Sequence, residues 1–152
     1  MLLMLVRDFL GSDFGRWDAG ILATDISSRA LGKAERGVYP DSQVTNLPET
    51  LKRKYLHRIS DEDWEVIPEL RREATFRRFN LMNENFPFKR PFHIIFCRNV
   101  MIYFDPETRD RLCTKFHKIL TPKGYLFLGH SESVNHNLGL FSTVQPAVYQ
   151  KI

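Results

Sequence analysis

The stretch FHIIFCRNVMIYFDPET, residues 92–108, predicts a buried strand with polar groups at its end. Residues 92–97 are apolar nearly throughout, which is typical of a parallel strand covered on both faces. Arg98 and Asn99 interrupt the run. A helix then begins, with Asp105 as its cap and Pro106 at its first position. The stretch therefore predicts a strand, a polar tip and a helix, in that order.

The segments on either side extend this pattern to an α/β fold. ILATDIS (21–27) is a further apolar run that ends in polar residues, and YLFLG (125–129) is another, which polar residues follow. Strands that alternate with helices predict a parallel sheet with helices packed on it. Three further helices are predicted over residues 1–10, 27–37 and 47–59. Ser27 or Ser28 caps the second of these, and Gly37 ends it. TPKG (121–124) terminates the helix that follows Asp105, and residues 141–152 form a hairpin or an edge pair.

Composition predicts one globular domain over residues 1–152. Hydrophobic residues are 43% and charged residues 26% of the chain, which excludes the disordered class. The net charge of +4 is too small to argue for nucleic acid. No segment is apolar for long enough to span a membrane. The two cysteines have no metal-like spacing, so we interpret them as buried, reduced thiols of a cytosolic protein and predict no metal site.

Polar residues follow three of the predicted strands and are expected to converge on one rim of the sheet. They are Asp25, then Arg98 with Asn99, and then the turn at 130–132. Ligands of such sheets bind beyond the carboxyl ends of the strands. Asp25 is placed either to accept hydrogen bonds from a ribose diol or to cap the helix that follows it. Position alone leaves both interpretations open.

Arg98 and Asn99 also allow two interpretations. An arginine at a strand tip can orient a carboxylate, and the asparagine can hold a backbone, a sugar or an amino-acid end. Alternatively, the two residues stabilise their own loop. Tyr103 either faces a cation or is a core aromatic, and the pair Asn80 and Leu81 either holds an adenine or simply ends a strand.

Two further segments carry weaker signals. GHSES (129–133) approaches the G-x-S-x-G motif of serine hydrolases, but the last glycine is missing and no convincing helix follows. Residues 52–78 interleave basic and acidic side chains, with the basic ones in excess. Such a segment is either a solvated face or a docking surface for an acidic protein.

Taken together, ILATDIS, FNLM, FHIIFCRNVMIYFD, LTPKGYLFLGHSES and the final VYQK resemble the catalytic domain of CheR-type chemotaxis methyltransferases. The resemblance runs from about residue 20 to the end. It implies a Rossmann-like class I methyltransferase sheet with a small inserted β-subdomain, over residues 40–80, that contacts the receptor. The implied activity is methyl transfer from S-adenosylmethionine to glutamate side chains of chemoreceptors, with S-adenosylhomocysteine as the product.

The resemblance also implies roles for individual residues. Asp25 would bind the ribose, Asn80 and Leu81 would flank the adenine, and Arg98 with Asn99 would line the methionine end. Arg98 and Tyr103 would serve the transfer step. The implied protein is a cytoplasmic monomer that meets the acidic helices of receptors and neither binds nucleic acid nor enters the membrane.

Two parts of the family pattern are not found in the sequence. They are the N-terminal helical domain and the first strand with its loop of the type G-x-S-x-G-E-E-P-Y-S. We therefore expect an incomplete domain that begins inside the helix after that loop. The strands ILATD and FHIIFC would then pair directly, accept a strand from elsewhere or leave backbone groups unpaired. We expect weak or no cofactor binding by this chain alone.

Two alternative functions remain. One is a non-enzymatic remnant that keeps a protein-docking surface. The other is an S-adenosylmethionine-dependent methyltransferase with a small-molecule or nucleic-acid substrate.

Overall fold

The computed structural model describes residues 1–152, which divide into two compact units, Met1–Asn80 and Leu81–Ile152. The α-helices are α1 (Leu2–Leu10), α2 (Ser28–Arg36), α3 (Asp41–Val44), α4 (Glu49–Tyr55), α5 (Pro68–Arg71) and α6 (Pro106–Ile119). The strands are β1 (Ile21–Asp25), β2 (Val38–Pro40), β3 (Leu56–Arg58), β4 (Asp63–Val66), β5 (Ala74–Arg78), β6 (Phe92–Cys97), β7 (Leu120–Leu128), β8 (Phe141–Gln145) and β9 (Val148–Lys151). Short 3-10 helices cover Gly11–Arg16, Met101–Tyr103 and His136–Leu138. No helix is both long and apolar enough to cross a membrane.

The first unit contains two small sheets. β1 pairs with β5 in parallel, and β2, β4 and β3 form an antiparallel sheet in that order. The core of this unit is an apolar cluster around Tyr55, which is only 1% exposed, together with Leu51, Leu56 and Leu70. The helix over 27–37 is confirmed as α2: Ser27 accepts a hydrogen bond from the amide of Ala30, and Gly37 ends the helix at φ 65°.

The second unit is a four-stranded sheet in the order β6-β7-β9-β8 with α6 as its long helix. β6 and β7 are parallel, whereas β9 is antiparallel to both of its neighbours. The predicted start of α6 is confirmed, because both carboxylate oxygens of Asp105 accept hydrogen bonds from Thr108, one from its amide and one from its hydroxyl, each at 2.9 Å. These bonds hold the pKa of Asp105 below its ordinary value. The predicted hairpin is confirmed as β8 and β9.

Two predictions about individual elements were wrong, and one was confirmed. The predicted helix over 47–59 stops at Tyr55, because Leu56–Arg58 pair with β4. The terminator TPKG is confirmed, because α6 ends at Ile119 and residues 121–124 interrupt the pairing of β7 with β6 between Leu120 and Tyr125. Lys123 has φ 59° in this interruption. β6 is not covered on both faces, because Ile94 is 48% and Phe96 43% exposed.

The parallel pairing within an α/β fold is confirmed, but the strands ILATD and FHIIFC do not pair with each other. β1 has β5 as its one strand neighbour, and β6 has β7. One edge of each strand is therefore without a strand partner in this chain, so direct pairing of the two strands was wrong. The assignment of residues 1–152 to a single domain and of 40–80 to an inserted subdomain stays a prediction.

A lysine from the last strand caps the end of α6, and its loss is expected to destabilise the second unit. Nζ of Lys151 donates to the carbonyl oxygens of His117 at 2.6 Å and Leu120 at 2.8 Å. We expect Lys151→Met to lower the free energy of unfolding by about 1 kcal/mol. The variant loses two hydrogen bonds from a positively charged ammonium group, which also interacts favourably with the negative end of the helix dipole. Denaturant-dependent hydrogen exchange of residues 81–152 measures the change. Lys118→Met is the matched control, because Lys118 lies exposed in the last turn of the same helix and makes no such bond. Equal loss of stability in both variants would contradict the capping role of Lys151.

Candidate functional site

Asp25 lies exposed at the carboxyl end of β1. Its Oδ1 accepts a hydrogen bond from the amide of Ser27 at 2.7 Å, and Oδ2 has no partner within the chain. The cap of α2 is Ser27, so the interpretation of Asp25 as the helix cap was wrong. The turn at Ser27 fixes the carboxylate and leaves one oxygen open, which fits an acceptor for a sugar hydroxyl.

Asn80 follows β5, so it lies at the same end of the β1-β5 sheet as Asp25. Arg78 stands opposite Asp25 in the parallel register, and the amide of Phe79 donates to the carbonyl oxygen of Asp25 at 3.0 Å. Asn80 is the last residue of the first unit, whereas Leu81 is half-buried and packs against the core of the second unit. The role of Asn80 and Leu81 at an adenine stays a prediction.

Arg98, Asn99 and Tyr103 lie on one exposed segment directly after β6. The side chain of Arg98 makes no hydrogen bond or ion pair within the chain, so it does not form a loop-stabilising pair with Asn99. Tyr103 is 80% exposed, so its interpretation as a core aromatic was wrong. Asn99 has φ 58°, in the left-handed region that non-glycine residues rarely adopt.

Sequence reasoning placed Glu132 in a polar turn but gave it no role. Its side chain is buried, with 6% exposed, and its two oxygens accept hydrogen bonds from five backbone amides. The donors to Oε1 are Val100 at 2.8 Å, Met101 at 2.6 Å and Ile102 at 3.2 Å, and the donors to Oε2 are Asn99 at 2.9 Å and Gly129 at 2.6 Å. An acid three residues after the glycine of GHSES was the one signal in the sequence.

The environment of Glu132 favours the charged carboxylate. Burial raises the pKa of Glu132, but the hydrogen bonds from the amides of Gly129, Asn99, Met101 and Ile102 lower it by more. The net result is a pKa below the ordinary value of 4.5. Glu132 is therefore ionised at neutral pH.

Gly129 has no room for a side chain. A Cβ atom at this position would lie 2.5 Å from Oδ1 of Asn99, 2.8 Å from Oε2 of Glu132 and 3.0 Å from the amide nitrogen of Asn99. The end of β7 therefore approaches the Asn99 turn as closely as only a glycine allows.

The GHSES segment does not form the strand-turn-helix of a serine hydrolase. Ser131 lies in a turn after β7, and residues 132–135 are not helical. The next element is the short 3-10 helix His136–Leu138. The geometry therefore gives the hydrolase hypothesis no support.

The charged segment contains both paired and unpaired cations. Glu65 accepts a hydrogen bond from Arg71 at 2.9 Å and lies 2.9 Å from Nε2 of His57. Nζ of Lys52 lies 4.3 Å from the ring centre of Trp64. Arg71, Arg72 and Arg77 line an open groove of about 430 Å³ beside β5. The guanidinium of Arg72 has no partner within the chain.

The predicted site residues thus fall into two groups, one in each unit. Asp25 and Asn80 share one end of the first unit's parallel pair, and the segment from Arg98 to Tyr103 is bonded to Glu132 in the second. Each group matches its predicted local placement at a strand end. Convergence of the two groups on one rim stays a prediction.

Comparison with known proteins finds relatives along almost the whole chain. The family model "CheR methyltransferase, SAM binding domain" matches residues 1–149. The chemotaxis protein methyltransferase of Borreliella burgdorferi is 41% identical over 150 residues, which are 99% of this chain and 53% of that protein. The one of Escherichia coli is 36% identical over 151 residues, which are 97% of this chain and 52% of that protein.

Among solved structures, a glycopeptide N-methyltransferase complexed with S-adenosyl-L-methionine aligns with 76% of this chain and with 36% of the methyltransferase chain. The sequence identity is 16% and the TM-score is 0.43. This chain spans about half the length of the curated relatives it matches. The family match over residues 1–149 includes both groups of predicted site residues. The chain belongs to the CheR methyltransferase family, in its S-adenosylmethionine-binding domain.

Proposed function

We propose that the protein that contains this chain transfers a methyl group from S-adenosylmethionine to glutamate side chains of chemoreceptors. The observation that carries the proposal is the exposed, unpaired guanidinium of Arg98, held next to Asn99 on a well-bonded turn in a chain of this family. Such a group can receive a substrate carboxylate without first breaking a bond inside the protein.

The residues that would hold the cofactor offer suitable chemistry. The open Oδ2 of Asp25 would accept a hydrogen bond from a ribose hydroxyl, with Asn80 and Leu81 at the adenine. Arg98 and Asn99 would line the methionine end. The cofactor, when bound, supplies a methyl group on a positively charged sulfur.

The side chains also fit the acceptor. A glutamate carboxylate is ionised at pH 7, so its attack on such a methyl group needs no strong base. What the protein must supply is alignment and the removal of water. Arg98 would hold one carboxylate oxygen while the other stays free to react, and the exposed ring of Tyr103 would lie beside the transfer site.

The partner in this proposal is an acidic helix of a cytoplasmic receptor segment, met by a monomer in the cytoplasm. The groove lined by Arg71, Arg72 and Arg77 has the opposite charge. Arg72, without a partner of its own, would pair with an acidic side chain. This docking surface would serve the methyltransferase and the non-enzymatic alternative equally well.

Cofactor binding provides the first test. We expect S-adenosylhomocysteine to bind the chain weakly and to shift the amide resonances of residues 25–27, 80–81 and 98–103 in an NMR titration. Asp25→Ala should weaken the remaining affinity by about 10- to 100-fold, because a charged acceptor for a sugar hydroxyl is lost. Asp61→Ala is the control, since Asp61 is a fully exposed acid in the same unit.

The outcomes separate the hypotheses. No resonance shift at millimolar ligand, in a folded chain that still binds a receptor fragment, would favour the non-enzymatic remnant. Transfer of tritium from labelled S-adenosylmethionine to RNA rather than to receptor protein would favour the other class of methyltransferase. Equal loss of affinity in Asp25→Ala and Asp61→Ala would contradict the role of Asp25.

A further inference from the structure

The five hydrogen bonds of Glu132 hold a segment that contains three of the predicted site residues. Three amides in succession, from Val100 to Ile102, point at one carboxylate oxygen. Backbone amides converge in this way only if the chain turns tightly, as it does at the 3-10 helix Met101–Tyr103. The carboxylate of Glu132 therefore holds the whole turn in place and not only one of its residues.

Glu132 also acts on the strained residue of the segment. Asn99 has φ 58°, a conformation that costs free energy in a residue with a Cβ atom. Oε2 of Glu132 bridges the amides of Asn99 and Gly129, at 2.9 and 2.6 Å, and so ties the end of β6 to the end of β7. The bridge compensates for the strained backbone directly beside Arg98.

No ion pair competes for the carboxylate. The titratable neighbour that faces it is Cys97, and burial, followed by the charge of Glu132, raises the pKa of that thiol to about 12. Cys97 is therefore neutral. The hydrogen bonds that Glu132 accepts come from backbone amides in the segment after β6 and at the end of β7.

We propose that Glu132 is a positioning residue, whose carboxylate sets the conformation of the segment from Arg98 to Tyr103 without touching cofactor or substrate. The inference deepens the proposed function and rests on it for the link to methyl transfer. It assigns the acid of GHSES to building the site, where the serine of that motif had suggested a nucleophile.

The test compares Glu132→Gln with the unchanged chain by NMR and hydrogen exchange. In glutamine, an NH₂ group replaces one of the two carboxylate oxygens. This group is a hydrogen-bond donor and would face backbone amides that are also donors. We expect the amide protons of Asn99, Val100, Met101, Ile102 and Gly129 to move and their exchange to accelerate by about 10- to 100-fold. Lys151→Met is the control for general loss of stability, because it weakens the same unit through α6 and leaves this turn untouched.

Acid titration gives a second readout. The folded pKa of Glu132 lies below its ordinary value of 4.5, so its contribution is fully present above that value. It is lost only as the pH falls through the folded pKa. The five amides should therefore hold their positions from pH 7 to about 5 and move together below about 4.5, whereas Glu132→Gln should show no such shared transition.

Ligand affinity links the turn to the site. Glu132→Gln should weaken binding of S-adenosylhomocysteine by about tenfold or more, and Lys151→Met should leave the affinity unchanged where both chains are folded. Loop amides that move no more in Glu132→Gln than in Lys151→Met would overturn the proposal. Displaced amides with unchanged ligand affinity would overturn it too. If the unchanged chain does not bind S-adenosylhomocysteine, cofactor binding by this chain alone is excluded, and the amide and acid readouts still decide whether Glu132 sets the turn.

Discussion

Gly129→Ala is expected to destabilise the second unit by about 2–3 kcal/mol, as overpacking of a tight contact does. The added Cβ would lie 2.5 Å from Oδ1 of Asn99 and 2.8 Å from Oε2 of Glu132. The carboxylate is not free to move away, because backbone amides on both sides hold it. The substitution must therefore displace either the Asn99 turn or the end of β7.

Gly15→Ala is the control for this experiment. A Cβ atom added at Gly15 would meet no other atom within 4 Å, and the φ of this glycine is not positive. An alanine there is therefore expected to change stability by less than about 1 kcal/mol. Denaturant-dependent hydrogen exchange reports each unit separately. A second unit that keeps its stability in Gly129→Ala would show that the Asn99 turn yields easily, which would weaken the case for a rigid turn at Arg98.

Leu126→Ala is expected to have the larger effect, with a loss of about 3–4 kcal/mol. Leu126 is 0% exposed on β7, between Ile95 of β6 and Tyr149 of β9. Truncation leaves a cavity between strands that cannot close without breaking their pairing. Because domains of this size are stable by only about 5–15 kcal/mol, the second unit should become marginal.

The measurement for Leu126 must exclude tryptophan fluorescence, since Trp17 and Trp64, the two tryptophans of the chain, both lie in the first unit. Hydrogen exchange of residues 81–152 is the suitable observable. Val144→Ala is the matched control, because Val144 is 54% exposed on β8 of the same sheet and should cost less than about 1 kcal/mol. Similar losses at both positions would contradict the placement of Leu126 in the core.

Local signals in the sequence predicted the elements that depend on a few neighbouring residues. The start of α6 followed from Asp105 and Pro106, and the ends of α2 from Ser27 and Gly37. The placement of Asp25 and Arg98 at strand ends followed from the apolar runs before them. In each case the deciding contacts lie within a few residues of the chain, so the order of residues is enough to specify them.

Predictions failed where a distant segment competes with a local preference. Leu56–Arg58 continue a helical pattern but form β3, because β4 offers them backbone partners. Helix propensities are worth a few tenths of a kcal/mol per residue, and such pairing outweighs them.

The order of amino acids was sufficient to predict the α/β class, the capped helices, the strand-end positions of Asp25, Arg98 and Asn99, and the motifs that carry the family resemblance. The contacts of Glu132 and the need for glycine at position 129 became evident only in three dimensions. The reason is that five amides around one carboxylate come from two strand ends that are some thirty residues apart. No local pattern encodes such a convergence, because each donor is an ordinary backbone group whose identity the side chains do not reveal.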